Sequence, residues 1–190
     1  RRVFAGDRLL EKNLYLGSVV SFLPDDPEHF LMATRLRGDL DLFRINVRTG
    51  DHERVAIGAK NTGAWYVDSA GEPAFRVDFN RRGTRATFYG REDRDNGSIK
   101  WRKLKSVRID RNGNDNVEQA TEFRPIAPGP DIATYYVAAR PSGANTTGIY
   151  LYNFETDTFV ENLKSDDRFD IESALINWET GEYLGSYHYE

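Results

Sequence analysis

FLPDDPEHFLMATRLRGDLDLFRINVRTGDHERV, residues 22–55, is the stretch that decides the fold, because short apolar strands alternate in it with turn-forming residues. Within it, the segment LFRINV places Leu42, Arg44 and Asn46 on one face of an extended chain and the residues between them on the other. A period of two is typical of a strand and does not fit a helical stripe. No segment of the chain is long and periodic enough to predict a helix.

Four hairpins follow the same pattern along the chain. They are GSVVSFLPDDPEHFLMATR (17–35), GAWYVDSAGEPAFRVDF (63–79), TEFRPIAPGPDIATYYVAAR (121–140) and ESALINWETGEYLGSYHYE (172–190). In each, two apolar strands flank residues that favour turns, since Pro fixes φ and Gly adopts positive φ without steric cost. The turns are predicted at 24–27, Gly71, 128–130 and Gly181.

Each of the first three hairpins leads into a third alternating strand and then a shorter, more polar fourth strand. The fourth strands read HERVAI, IKWRKLK and TFVENL, whereas the last hairpin ends without these additions. In the closest internal match, residues 33–35 align with residues 138–140, and Asn46 aligns with Asn153. A repeat of about 40 to 50 residues is typical of propeller blades, whose outermost strand faces water.

We therefore predict an all-β fold: a β-propeller fragment of about three and a half four-stranded antiparallel blades. The predicted blades span residues 18–57, 61–107 and 120–164, with a partial blade at 171–190. Residues 1–17 are expected to supply strands of a preceding or closing blade. All of these belong to one propeller domain in this interpretation.

Composition narrows the function classes. Apolar residues make up 39% of the 190 residues and charged residues 29%, as in ordinary globular domains. The net charge of −4 disfavours nucleic-acid binding, and no apolar run approaches the roughly 18 residues of a membrane span. The absence of Cys predicts no disulfide, and three scattered His are too few for a structural zinc site. No cofactor is expected. The chain begins at Arg1, which indicates a processed protein or an excised part, and leaves its compartment open.

The segments LPDDPEHFLMAT (23–34), DLFRINVRTGDHERV (41–55), GIYLYNFETDTFVENL (148–163) and INWETGEYLGSYHYE (176–190) resemble a known family. They look like the N-terminal propeller of bacterial prolyl oligopeptidase-family serine peptidases, of the dipeptidyl aminopeptidase or acylaminoacyl-peptidase kind. The resemblance implies a propeller that gates and orients peptide substrates for an α/β-hydrolase domain absent from this chain. The location stays unknown, with the bacterial cytoplasm and periplasm both open.

The sequence carries no nucleophile of an α/β-hydrolase. That nucleophile needs G-x-S-x-G, because the strained turn around the Ser tolerates only small neighbours. Ser69 has Gly71 after it but Val67 before it, and neither Ser18 nor Ser186 fits better. We therefore expect no catalytic residue and no hydrolysis by this chain. A second hypothesis is a stand-alone propeller that serves as a protein-interaction platform, with no enzyme attached.

Three charged segments are candidate sites. DRNGNDNVE (110–118) resembles a calcium loop, but its Gly is misplaced and the closing Glu is missing, so a solvated loop is the better interpretation. KWRKLKSVR (100–108) could bind phosphate, but alternation puts Trp101, Lys103 and Lys105 on one face and the residues between them on the other. That spread favours a charged edge strand. The candidate contacts for a substrate or partner carboxylate are Arg81, Arg82 and Arg85, and a charged hairpin turn is the alternative.

The last strand is expected to be an uncovered edge. Its backbone groups lack partners if the partial blade stops after two strands, and such edges invite pairing. Three partners are conceivable: another copy of the chain, strands of the missing C-terminal region, or the chain's own N-terminus. Self-association through exposed blade edges is thus a prediction of the sequence.

Overall fold

The computed structural model describes residues 17–36, 38–95, 97–109, 123–171, 173–177 and 180–188, and within them the chain forms fourteen strands and no helix. The all-β prediction is confirmed. The predicted strands before residue 17, the calcium-like loop at 110–118 and the predicted start of the third blade at residue 120 lie outside the described residues.

The strands form three four-stranded sheets and one two-stranded sheet, each antiparallel and ordered as in the chain. We call them blades 1 to 4. Blade 1 contains β1 (Ser18–Ser21), β2 (His29–Leu36), β3 (Asp39–Asn46) and β4 (His52–Ala56), and blade 2 contains β5 (Thr62–Val67), β6 (Pro73–Phe79), β7 (Arg85–Asp93) and β8 (Ile99–Arg108). Blade 3 contains β9 (Phe123–Pro128), β10 (Thr134–Ala139), β11 (Gly148–Asn153) and β12 (Thr158–Lys164), and blade 4 contains β13 (Ser173–Ile176) and β14 (Tyr183–Tyr187).

Successive blades pack face to face, as propeller blades do. The largest apolar cluster lies between blades 2 and 3, where aromatic rings meet edge to face at centroid distances near 5 Å. Phe75 contacts Tyr135 and Phe154 there, at 5.3 and 5.1 Å. Smaller clusters join blade 1 to blade 2 around Leu42 and Trp65, and blade 3 to blade 4. Burial of these faces holds the blades together.

Burial changes across each blade as the repeat predicts. In blades 1 and 3 the second and third strands are the most buried, and every residue of β10 is buried. Among the fourth strands, β12 is largely exposed, and β4 and β8 have one buried residue each. The first strand β1 is half-exposed, because it lines a cavity and only Val20 packs on the cluster shared with blade 2.

The turns confirm the predicted hairpin tips. Asp26 N donates to Leu23 O in the first turn, and Gly71 N donates to Asp68 O in the second. Gly129 N donates to Thr134 O across the third turn, and Gly181 N donates to Asn177 O in the fourth. Each turn therefore joins the first and second strands of its blade.

The internal match between Asn46 and Asn153 is also structural. Each residue ends the third strand of its blade, and its side-chain oxygen accepts two backbone N–H groups of the following turn at 2.9 to 3.0 Å. Asn side chains commonly stabilise turns in this way. The repeated NVRTG and NFETD segments are therefore the same turn in two blades.

One expected side-chain orientation is wrong. Simple alternation places Lys105 beside Trp101, but a bulge between Phe88 and Tyr89 inserts Leu104 as an extra residue in the ladder. Lys105 consequently faces blade 3, where its Nζ lies 5.1 Å from the centre of the Phe123 ring. A bulge shifts every later residue to the opposite face, and alternation alone cannot reveal it.

Candidate functional site

The turns between the first and second strands of all four blades line one cavity of about 640 Å³, which we call the mouth. In a propeller these turns lie at one end of the central axis. The mouth is therefore an axial opening built from segments far apart in sequence. Its lining residues are Ser21, Leu23, Pro24, Asp25, Asp26, Arg44, Asp68, Ser69, Ala70, Gly71, Ala127, Pro128, Gly129, Pro130, Ile176, Asn177, Thr180 and Gly181.

A second cavity, of about 740 Å³, continues from the mouth along the first strands of blades 1 to 3, and we call it the axial channel. Ser21, Ala127 and Pro128 line both spaces, so the two adjoin. All of β1 and residues 63–67 of β5 line the channel. Its walls are mostly small or apolar side chains together with strand backbone.

Close packing between neighbouring turns shapes the mouth. Gly71 has a φ of +79°, which an L side chain rarely adopts, and a Cβ placed there would lie 2.2 Å from Cδ2 of Leu23. Leu23 is itself buried. The positive φ of the blade 2 turn therefore favours glycine, and a side chain there would also displace the buried Leu23 of the blade 1 turn.

Asp26 lies in a polar network on the mouth side of blade 1. Its carboxylate accepts a hydrogen bond from His29 Nδ1 at 2.9 Å and is paired with the guanidinium of Arg44. These two contacts, His29 first, lower the pKa of Asp26 to about 2. Asn46 lies on the other side of the imidazole, with its amide nitrogen 3.4 Å from His29 Nε2. The histidine thus contacts an aspartate and an asparagine, which fixes the turn.

Asp68 opens the second turn and is only 7% exposed. Its Oδ1 accepts the backbone N–H groups of Ala70 and Glu72, both at 2.9 Å. Burial nevertheless raises the pKa of Asp68 above its ordinary value, because the charged form is poorly solvated. The residue both closes the turn and contributes a carboxylate to the mouth.

The mouth has an acidic balance. Asp25, Asp26 and Asp68 line it together with one guanidinium among the described residues, that of Arg44, which is paired with Asp26. The channel beyond it is lined by apolar groups such as Val20 and by one guanidinium among the described residues, that of Arg35, which donates to Thr62 O at 3.3 Å. Small apolar walls, exposed strand backbone and an acidic entrance can hold an extended chain and favour a cationic group at its end.

The arginines predicted as contacts lie elsewhere. Arg81 and Arg82 occupy the turn between β6 and β7, and Arg85 begins β7. That turn is at the end of blade 2 opposite the mouth, since β6 separates it from the Asp68 turn. None of the three lines the mouth or the channel. Of the serines tested against the nucleophile pattern, Ser69 lies in the mouth and Ser18 in the channel.

The basic strand β8 is an edge strand of blade 2, and part of its charge is used in packing on blade 3. Arg102 donates to the carbonyl oxygens of Phe154 and Glu155. Lys105 lies over the rings of Phe123 and Phe159 at 5.1 and 5.2 Å. These contacts bind the outer strand to the next blade.

Among the described residues, no group of three or more His, Asp or Glu side chains is placed to hold a metal ion. In the same part of the chain there is no helix with the length and apolar character needed to cross a membrane.

The sequence reasoning missed the residues of the mouth. They could have been found from the repeat itself, because equivalent turns of successive blades meet at the axis of a propeller. LPDD, VDSAG, APGP and NWETG occupy the equivalent place in each repeat. Two of these four segments contain the aspartates that give the mouth its charge.

No family model matches the chain. No curated protein matches it either. Among solved structures, the chain is similar to the β-propeller domain of the trilobed protease from Pyrococcus furiosus, with 11% sequence identity and a TM-score of 0.37. The match covers 83% of this chain and 59% of that one, so the chain spans less than two thirds of that protein's length. The assignment of blades to this chain rests on its own strand pairing and packing.

Proposed function

We propose that this chain is the non-catalytic propeller portion of a prolyl oligopeptidase-family serine peptidase, which orients peptide substrates for an α/β-hydrolase domain elsewhere in the parent protein. The observation that carries the proposal is the convergence of the first turns of four blades on one axial opening. An opening on the axis can restrict what passes through the propeller.

The dimensions of the opening support a peptide as the occupant. The mouth and the channel, at about 640 and 740 Å³, each fall in the range of ligand pockets, roughly 300–1,000 Å³. They adjoin through Ala127 and Pro128, so a ligand longer than either space can extend through both. A folded protein is too large for this space, whereas an extended peptide is narrow enough.

The chemistry of the opening supports a positioning role. His29 contacts Asp26 and Asn46, an arrangement that orders a turn. Ser69 belongs to a turn whose carboxylate, Asp68, is satisfied by backbone N–H groups. Catalysis is therefore assigned to the hydrolase domain, and this chain selects and orients.

The blades are proposed to belong to one domain, with boundaries at 18–57, 61–107, 120–164 and 171–190. Each neighbouring pair shares an apolar cluster, which supports a single body. Within the described residues, blade 4 has two strands where the others have four. Further strands from the parent protein would complete it.

A second candidate, an interaction platform without an attached enzyme, is favoured by one observation. Leu175 and Leu184 of blade 4 are 58% and 56% exposed. Exposed apolar side chains beside an incomplete sheet are typical of a surface that another protein covers. In this alternative the partner lies in a different chain.

The coding sequence beyond Glu190 tests the proposal. We expect further blade-like repeats and then a G-x-S-x-G segment between a strand and a helix, followed by an Asp or Glu and a His. A reading frame that completes the propeller and then ends would contradict the peptidase assignment and support the interaction platform.

A further inference from the structure

The first strands of blades 1 to 3 are edge strands, and they line the axial channel. In the strand order of the sheets, β1, β5 and β9 each stand at an end, with a partner on one side only among the described residues. Backbone N–H and C=O groups along such an edge can pair with another extended chain. The channel is thus lined by edges that could accept a further strand.

The lining of the channel shows that strand backbone reaches it. Five consecutive residues of β5, numbers 63–67, line the channel, although successive side chains point to opposite faces. Trp65 and Val67 of this segment turn their side chains into the cluster with blade 1. Residues whose side chains point to either face of the sheet thus line the channel, so the edge of β5 itself faces it.

The three edges differ as templates. β9 contains Pro125 and Pro128, which have no N–H to donate. β1 has only four residues, and a bulge lies between Val19 and Ser21. β5 has six residues; its ladder with β6 shifts register between Thr62 and Ala64 and between Tyr66 and Val67, and the Thr62 carbonyl accepts a hydrogen bond from Arg35. Trp65 anchors the regular stretch between the two shifts by donating its indole N–H to Leu40 O at 2.7 Å. β5 is therefore the longest edge without a proline, and residues 64–66 are its regular stretch.

We propose that an extended peptide binds in the axial channel by adding as a strand to the edge of β5, with a Lys or Arg side chain at the mouth. The inference rests on the proposed function and deepens it by naming the mode of recognition. Backbone pairing supplies affinity that is independent of most side chains, as in other cases of strand addition. Ala64 and Ala127 leave space at the channel wall, and small side chains on the peptide fit there.

The charge of the mouth selects the cationic group. Asp25 and Asp68 line the mouth in addition to the Asp26–Arg44 pair. Opposite charges raise the rate of encounter and fix orientation. When the basic residue of a peptide lies at the mouth, its remaining residues lie in the channel, along the first strands of blades 1 to 3.

Alternate N-methylation of a peptide tests backbone pairing. The probe is the octapeptide Lys-Ala-Thr-Ala-Val-Ala-Thr-Gly, labelled at its carboxyl end with fluorescein, and binding is measured by fluorescence anisotropy. Two further versions carry N-methyl groups on alternate residues, one in each register. A strand pairs through one edge only, so we expect one methylated version to lose affinity at least tenfold and the other to bind like the parent.

The outcomes separate this inference from the proposed function. Equal binding of all three peptides would overturn strand addition and leave a peptide-orienting role in place. Failure of all three to bind would overturn the inference, and the coding sequence beyond Glu190 tests the peptidase assignment separately. Equal loss of binding by both methylated versions would also refute pairing through a single edge.

Two variants, with Ala144→Trp as the control, test where the peptide binds. Ala127→Trp fills the channel and should lower affinity at least tenfold, whereas Ala144→Trp, in a turn that lines neither cavity, should leave it unchanged. Asp25→Asn should weaken binding of the Lys peptide a few-fold and leave a version with Gln in place of Lys unaffected. Circular dichroism confirms that each variant is folded. Unchanged affinity in Ala127→Trp would overturn the assignment to the channel.

Discussion

Replacement of Phe75 by alanine tests the packing of blade 2 on blade 3. Phe75 is fully buried, and its ring contacts Tyr135 and Phe154 at centroid distances of 5.3 and 5.1 Å. Truncation of a buried Phe to Ala costs about 3–5 kcal/mol, from lost apolar burial and from the cavity that remains. The two aromatic contacts account for part of this, at about 0.5–1.5 kcal/mol each.

The matched control is Phe22→Ala, which removes the same side chain at a position that is 77% exposed. Exposed substitutions usually change stability by less than about 0.5 kcal/mol. Urea unfolding followed by tryptophan fluorescence measures both variants. With a urea slope near 2 kcal/mol per molar, Phe75→Ala should lower the midpoint by roughly 1.5–2.5 M, while Phe22→Ala leaves it nearly unchanged. Equal midpoints for the two variants would refute the face-to-face packing of these blades.

Three further predictions concern the turns and the blade edge. The pKa of Asp26 is about 2, below its ordinary value of 3.8, so the stability that its charged form contributes is complete above pH 3.8 and is lost as the pH falls through about 2. In Arg44→Ala, an NMR titration of the carboxyl group should show the pKa of Asp26 raised toward 3.8. An unchanged pKa would contradict the pairing of Asp26 with Arg44. Gly71→Ala should destabilise the chain by about 1–2 kcal/mol because of the positive φ, with a further loss from the clash with Leu23. In thermal unfolding, its loss of stability should be larger than that of Gly181→Ala, since Gly181 shares the positive φ but has open space around it. Equal losses would show that the contact between the turns is absent. Sedimentation should show a mass that rises with protein concentration. Leu184→Lys should lower that mass at a given concentration, because a charge at a sheet edge opposes strand pairing. A strict monomer over a hundredfold range of concentration would rule out association through blade 4.

The strands and hairpin tips could be predicted from sequence because local physics determines them. Period-two alternation identifies segments such as residues 42–47, and Pro and Gly mark the turns. The repeat then fixes the blade, since four strands recur with the same gradient from apolar to charged. These features depend on neighbours in the chain and on little else.

The site could not be predicted in the same way, because it depends on contacts distant in sequence. The segment VDSAG predicts a turn but not that Asp68 is buried in it, because the burial comes from neighbouring segments. The bulge that turns Lys105 toward blade 3 has no marker in KWRKLKSVR. Arg81 has the chemistry of a carboxylate contact, but position on the axis decides which turns line the mouth. The chemistry of a side chain can be read from the sequence, but its location in the protein depends on the fold.

Thiol labelling in the axial channel tests most directly whether the propeller takes up peptides. The chain contains no cysteine, so Ala127→Cys creates a single thiol where the mouth and the channel meet. A small methanethiosulfonate reagent should label it, and saturating octapeptide should slow labelling at least tenfold while leaving Ala144→Cys unaffected. Labelling of Ala127→Cys at the same rate with and without bound peptide would contradict an axial peptide site.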